Sequence, residues 1–410
     1  MNEDWKKNIV LFLLSQIISL FGTSLVQYAI MWYITLETRS GVMMTISILC
    51  GFLPIFVLSP FAGVWADRYD RKKLIILADS FIALATLILA ILFYMGYESI
   101  WLLFAASVIR AFGSGVQTPA VNAFIPQLVP EDKLTKVNAT NGSLQAMATL
   151  FSPMASGALL SLIGIKVIFL VDVITAVVAI SILVFFLHAA PHAKALEEHK
   201  LNYFKDMKEG IKYINERQFL KIYFSFLAVF YVLLAPPAFL TPLQVARSFG
   251  NDVWRLTTLE VVFSAGMVIG GALMAYWEGF KNRIHTMATA CIIIGVCTVL
   301  LGIVPYFWVY ISIICLFGVA MPILNTPAIV LLQERVEANF MGRVFSILGM
   351  ISSIMMPFGM LVFGPVSDYV EIEIILLVTG GIIIAMSLFF GKNKILIEAG
   401  KQVPTDKLAQ

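Results

Sequence analysis

Twelve predominantly apolar runs of about twenty or more residues dominate this 410-residue chain. They lie near 8–36, 41–66, 74–96, 99–122, 137–162, 166–188, 219–245, 254–278, 285–304, 307–331, 342–364 and 372–391. A helix rises about 1.5 Å per residue, so each run is long enough to cross a hydrocarbon core roughly 30 Å thick. In lipid the backbone must satisfy its own hydrogen bonds, which such runs do as helices. The pattern predicts an all-α membrane protein with twelve transmembrane helices. Charge agrees: only 13% of residues are charged and the mean hydropathy is +0.91, where a soluble domain carries about a quarter charged residues. The first run is too long and too weakly bounded for a cleaved signal peptide, so it is read as a retained span.

The few charges are placed with a bias. If the N-terminus is inside, the cytoplasmic segments hold twenty-three Lys and Arg and the outer loops only Arg39, Lys166, Arg247 and Arg255. Positive charge is retained on the cytoplasmic side, so both termini are expected there. The polar stretch 189–218 divides the spans six and six. The chain is therefore expected to comprise an N-terminal six-helix half (1–188), a cytoplasmic linker (189–218), a C-terminal six-helix half (219–391) and a cytoplasmic tail (392–410). Tyr203, Met207, Ile211 and Ile214 share helical spacing, so the end of the linker reads either as an amphipathic helix along the membrane surface or as a solvated connector. Thr118-Pro119-Ala120 recurs as Thr326-Pro327-Ala328 at the equivalent span, 208 residues on. Duplicated halves of this kind are a common build of secondary transporters.

Several function classes find no support. The net charge of +3 does not point to nucleic acid. The four cysteines (Cys50, Cys291, Cys297, Cys315) sit in apolar segments without a CxxC spacing, so they read as packing residues rather than metal ligands. No G-x-x-x-x-G-K-[ST] loop, nucleophile–base constellation or metal cluster is evident. Neither an enzymatic activity nor a cofactor is expected.

Six of the seven residues from Asp67 to Lys73 are charged, and they fall at the turn between the second and third spans. Gly63, Asp67, Arg68, Arg71 and Lys72 form G-x-x-x-D-R-x-x-R-K, which resembles the signature loop of the major facilitator superfamily. Gly63 lets two helices approach closely, and Asp67 suits the positive end of a neighbouring helix. The resemblance implies the major facilitator fold, and a latch at this loop that favours the outward-facing state. The second half keeps a worn copy, "GALMAYWEGFKNR" (271–283), with Glu278 in the acidic position.

Arg110 falls near the middle of the fourth span, where a charge costs about 2.5–3.5 kcal/mol on insertion scales and marks a functional candidate. It shares a helical stripe with Ser107, Ser114 and Gln117. Arg110-x-x-x-x-Gly115 resembles the superfamily's fourth-span motif, whose Arg is implicated in proton coupling. Further polar stripes run along the first span (Gln16, Ser19, Thr23, Gln27) and the fifth (Asn138, Asn141, Gln145, Thr149, Ser152, Ser156). Gln16, Thr23, Gln27, Ser114, Gln117, Asn141 and Gln145 are candidates to line a cavity, or to bond helix to helix. Ala148-x-x-x-Ser152-Pro153-x-x-Ser156-Gly157 is similar to the exporters' G-x-x-x-G-P-x-x-G-G, with small residues in place of all glycines but the last. Ser152, Pro153 and Gly157 thereby suggest an antiporter.

Proton carriers are expected among carboxylates, because His188, His192, His199 and His285 fall at or near cytoplasmic ends. Glu260 and Asp172 lie about two turns into the eighth and sixth spans. Asp79, nearer the cytoplasmic end of the third span, is expected to pair with the basic loop. Met350, Met355, Met356, Met360, Phe224, Phe230 and Tyr231 suit either an adaptable apolar cavity or the lipid face. Pro236, Pro237 and Pro242 should bend the seventh span.

The stretches 51–79, 118–136 and 170–182 are similar to the macrolide-efflux-like branch of drug/proton antiporters. That resemblance implies a monomeric transporter of the bacterial cytoplasmic membrane. It would export small amphipathic drugs in exchange for protons and confer antibiotic resistance. A lipid, siderophore or metabolite carrier on the same fold stays open, as does a non-transporting membrane sensor or assembly partner.

Overall fold

The computed structural model describes residues 5–187 and 203–401. His188 and the start of the predicted linker, with His192 and His199, lie outside the described residues, as does the end of the predicted tail. Twelve of the helices among the described residues are long and apolar enough to cross a membrane. The chain packs as two compact units: unit one comprises residues 1–39, 46–198 and 252–257, and unit two comprises 40–45, 199–251 and 258–410.

Unit one is built from α1 (Trp5–Thr38), most of α2 (Gly41–Arg68), α3 (Arg71–Tyr94), α4 (Ile100–Leu128), α5 (Leu134–Ile163) and α6 (Ile165–Ser181), with a wider π-type turn at Ile182–Phe186. Its interior is apolar where the helices meet near the basic loop: Phe12 packs edge-on against Phe124 at 5.1 Å, beside Ile75, Leu183 and Leu187. Leu84, Ile174, Leu162 and Phe185 point outward and are more than half exposed, as a lipid-facing surface requires. Asp70 caps α3, its Oδ1 accepting from the Lys73 amide at 3.1 Å. A single residue, Gly164, joins α5 to α6 at φ +79°, a left-handed conformation that glycine adopts without steric cost.

Unit two contains α7 (Tyr203–Glu216), α8 (Gln218–Ala235), α9 (Thr241–Ser248), most of α10 (Val253–Trp277), α11 (Arg283–Leu301), α12 (Phe307–Arg335), α13 (Ala338–Val366), α14 (Ile372–Lys392) and α15 (Lys394–Ala399). Helices α8 and α9 are one span interrupted by a π-type turn at Pro236–Leu240. The expected bend therefore occurs where proline removes backbone donors. The amphipathic stretch does form a helix, α7, and its apolar side packs on α13. Tyr213 stacks on Phe340 at 4.2 Å, and Arg343 reaches Glu209 at 3.2 Å. The tail begins with structure rather than a free end: Asn393 caps α15, and Arg335 holds the carbonyls of Ala399 and Lys401, both at 2.7 Å.

At the other end of unit two, Asp368 lies two residues beyond α13 and meets residues 40–42. Its Oδ1 accepts from the Gly41 amide at 2.7 Å and its Oδ2 from the Val42 amide at 3.0 Å and the Ser40 hydroxyl at 2.7 Å. Arg247 donates to the same Oδ1 at 2.7 Å. The backbones approach closely here: a Cβ on Gly364 would fall 1.7 Å from Thr45 Oγ1.

Candidate functional site

The polar groups of unit one form two tiers on the inward faces of α1, α3 and α4. The first tier is centred on Arg110, which is 5% exposed. Its Nη1 meets Asp172 Oδ2 of α6 at 2.5 Å and also donates to the Thr86 hydroxyl of α3. Nη2 donates to the Thr23 carbonyl of α1 at 3.1 Å. Thr86 in turn donates to Asp172 Oδ2 at 2.8 Å. Four helices thus surround one ion pair. Glycine makes room for it, because a Cβ on Gly22 would lie 2.0 Å from Thr175 Oγ1 and 3.0 Å from Asp172 Oδ1. Isolated charges are costly in an apolar interior, but this pair is neutral as a unit and is hydrogen-bonded on several sides.

The second tier lies seven residues away on each of the three helices: Gln16 against Thr23, Asp79 against Thr86, and Gln117 against Arg110. Two turns correspond to about 10 Å along the axis. Asp79 Oδ1 accepts from Ser19 Oγ at 3.1 Å and Gln117 Nε2 at 3.4 Å. Gln117 Nε2 also donates to Gln16 Oε1 at 3.1 Å. The expectation that Asp79 pairs with the basic loop does not hold, because its hydrogen bonds come from Ser19 and Gln117. Arg71 donates to the carbonyls of Ala66 and Ala123, both at 2.9 Å, and Lys72 to that of Leu187 at 2.8 Å.

Two cavities adjoin these tiers. One of about 220 Å³ is lined by Gln16, Gln117, Asn141 and Gln145, with Thr149 and Leu20 among its other walls. A smaller one, about 80 Å³, is lined by Thr23, Gln27, Ser107, Arg110 and Ser114. Of the candidate cavity residues, Gln16, Gln117, Asn141 and Gln145 border the larger space and Thr23, Gln27 and Ser114 the smaller.

The other candidates are more scattered. Gly63 and Asp67 fall in the last turns of α2, the Asp67 side chain outside the described residues, and Arg68 is exposed. In α5, Ser152 is fully buried, Ser156 donates to the Leu25 carbonyl at 3.0 Å, and a Cβ on Gly157 would fall 1.8 Å from Thr257 Oγ1. Glu260 is half-buried on α10, in unit two. Phe224, Phe230 and Met360 are core residues of unit two, whereas Met350 is 38% exposed.

Reading the sequence alone did not single out Thr86 and gave Asp172 no partner. It also missed the Asp368 site, although Gly364-x-x-x-Asp368 repeats the spacing of Gly63-x-x-x-Asp67.

A sequence model of the Major Facilitator Superfamily matches residues 12–360. The chain is 30% identical over 388 residues to macrolide efflux protein A of Streptococcus pyogenes, covering 94% of this chain and 96% of that protein. It is 31% identical to macrolide efflux protein A of Enterococcus faecalis, over 78% of this chain and 99% of that one. Among solved structures, a bacterial homologue of the human lysosomal transporter Spinster, inward-facing and unoccupied, superposes with a TM-score of 0.72. It does so at 13% identity, over 99% of this chain and 100% of that one.

Proposed function

The chain belongs to the Major Facilitator Superfamily as a multi-pass transporter of a bacterial membrane, and on that premise we propose that it exports amphipathic compounds of the macrolide class in exchange for protons. The observation that carries the substrate class is the match to macrolide efflux protein A, which runs over 94% of the chain rather than over one motif. The ion pair of Arg110 with Asp172 supports an ion-driven mechanism, since a superfamily-type Arg is held by a carboxylate beside a polar cavity. In this reading the two halves rock between inward-open and outward-open states. Gly63, Asp67, Arg68, Arg71 and Lys72 latch the inner end, with both termini cytoplasmic. Glutamines and asparagines along α1, α4 and α5 meet the polar groups of the substrate, and its apolar bulk is accommodated by adaptable side chains.

The test is transport in proteoliposomes with an imposed pH gradient and erythromycin as probe. Uptake that a protonophore abolishes and that Arg110→Ala reduces supports the proposal. Gradient-independent behaviour with erythromycin and other macrolides would remove the drug assignment and leave a lipid or siderophore carrier as the reading to pursue.

A further inference from the structure

Asp79 differs from Asp172 in one respect that matters for proton chemistry. Both are buried, at 2% and 1% exposure, but Asp172 meets Arg110 at 2.5 Å, whereas Asp79 has no cationic partner among the described residues. Its Oδ1 is held by Ser19 and Gln117. Its Oδ2 is buried with no hydrogen-bond partner among the described residues. An ionised carboxylate in this setting would leave a full charge on two neutral donors and one bare oxygen, which a low-dielectric interior disfavours strongly. A protonated carboxyl carries no such charge.

Access is as important as burial. Gln117 bonds both Asp79 and Gln16, and these two glutamines are walls of the cavity of about 220 Å³. A space of that size lined by amides is roomy and polar enough for water. The carboxyl therefore stands one side chain away from a place where a proton can be handed over.

The charged groups facing it are few. On α6 there is Asp172, and on α4 Arg110, which Asp172 already engages. On α3 itself Arg71 and Lys72 lie nearer the loop, bonded to carbonyls of Ala66, Ala123 and Leu187. On α1 there is no charged residue between Lys7 and Glu37. Arg110 is the one buried cation among the described residues. Loss of the Asp79 proton to cavity water would thus create a negative charge two turns from Arg110, in competition with Asp172 for its guanidinium.

We infer that Asp79 is the carboxyl that binds and releases the exchanged proton, with Gln117 positioning it at the cavity and Arg110 sensing its charge. The inference rests on the proton-exchange reading above and assigns that reading its residue. Asp172 is then the fixed counter-ion of Arg110, and Glu260 stands outside the relay.

Infrared difference spectroscopy of the full-length protein in lipid vesicles tests this without substrate. The wild type should show the C=O stretch of a protonated carboxyl at neutral pH that disappears on alkalinisation. Asp79→Asn should lack that band, Asp172→Asn and Glu260→Gln should keep it, and Gln117→Ala should shift its frequency by removing a hydrogen bond. A band that survives Asp79→Asn, or a wild type with no such band at neutral pH, overturns the inference. So does Asp79→Asn protein that still drives erythromycin uptake from a pH gradient at the wild-type rate. If the wild type moves no erythromycin yet loses the band in Asp79→Asn, the proton site stands and the macrolide assignment falls.

Discussion

Asp368 accepts a hydrogen bond from the amide of Gly41, 327 residues earlier in the chain, at 2.7 Å. The contact places a carboxylate on the first amides of α2, where helix N-terminal N–H groups lack internal partners and the dipole favours negative charge. Gly41 is needed for the approach, since a Cβ there would fall 2.1 Å from the Gly364 carbonyl oxygen. Burial raises the Asp368 pKa, but the amides of Val42 and Gly41, the Ser40 hydroxyl and Arg247 outweigh it, so the carboxyl stays below the usual aspartate range.

Because this pKa is depressed on folding, the stabilisation it brings is complete above the usual aspartate pKa and is lost as pH falls through the lower, folded value. Thermal unfolding of the purified protein should therefore lose part of its midpoint on acidification below the ordinary aspartate range. Asp368→Asn should lower the midpoint at neutral pH by an amount equivalent to about 1–2 kcal/mol and should flatten that part of the pH profile. An unchanged profile in Asp368→Asn would show that another group sets the acid sensitivity.

Arg110→Ala leaves Asp172 buried without its cation, and breaking a buried pair in this way typically costs about 3–5 kcal/mol. The double variant Arg110→Ala/Asp172→Ala should unfold at a higher temperature than Arg110→Ala alone, because the uncompensated charge is gone. Gradient-driven transport should be reduced in both. Thermal melts and uptake assays on the same preparations separate the two effects.

Gly157 is the one glycine of the antiporter-type stretch in α5 that the chain retains, and its place is taken up by Thr257. Gly157→Ala should depress transport severely, since a threonine side chain is stiff at χ1 and cannot swing aside. Thr257→Gly removes all three atoms within 3.0 Å of the added Cβ, and should restore a substantial share of the activity lost in Gly157→Ala. Failure of that rescue would assign Gly157 a role other than close packing.

The docking of α7 should depend on its aromatic contact. Tyr213 is 3% exposed, lies with its ring 3.5 Å from the Arg217 guanidinium carbon and accepts from the Glu337 amide at 3.2 Å. Tyr213→Ala should accelerate trypsin cleavage at Lys208 and Lys212 several-fold, whereas Ile211→Ala, at a position already 45% exposed, should not.

Much of the architecture could be read from the chain because lipid imposes one rule on every span. Apolar runs long enough to cross must be helical, so twelve runs gave twelve helical spans. The three prolines in the seventh span placed its interruption correctly. Arg110 stood out since a charge inside an apolar run is conspicuous by itself. Its partner was harder to find: Asp172 is 62 residues away, and helical periodicity gives a residue's face on its own helix but not which neighbouring helix that face meets. Asp79 was misread for a related reason. Distance along the sequence suggested the basic loop, while the donors of Arg71 and Lys72 are spent on carbonyls at helix ends that only the fold brings near. The Asp368 contact depends on three segments distant in sequence, so no local pattern announced it.

The Arg110–Asp172 pair also bears on how the protein is made. Synthesis delivers α4 to the bilayer well before α6, so for the time needed to translate the intervening α5 the arginine has no acid to neutralise it. An unpaired Arg at mid-span costs about 2.5–3.5 kcal/mol on insertion scales, and the run of apolar residues around it must outweigh that burden alone. Nascent chains halted between α4 and α6 should be the most vulnerable stage of biogenesis, and should be the ones that quality-control proteases and insertion chaperones capture.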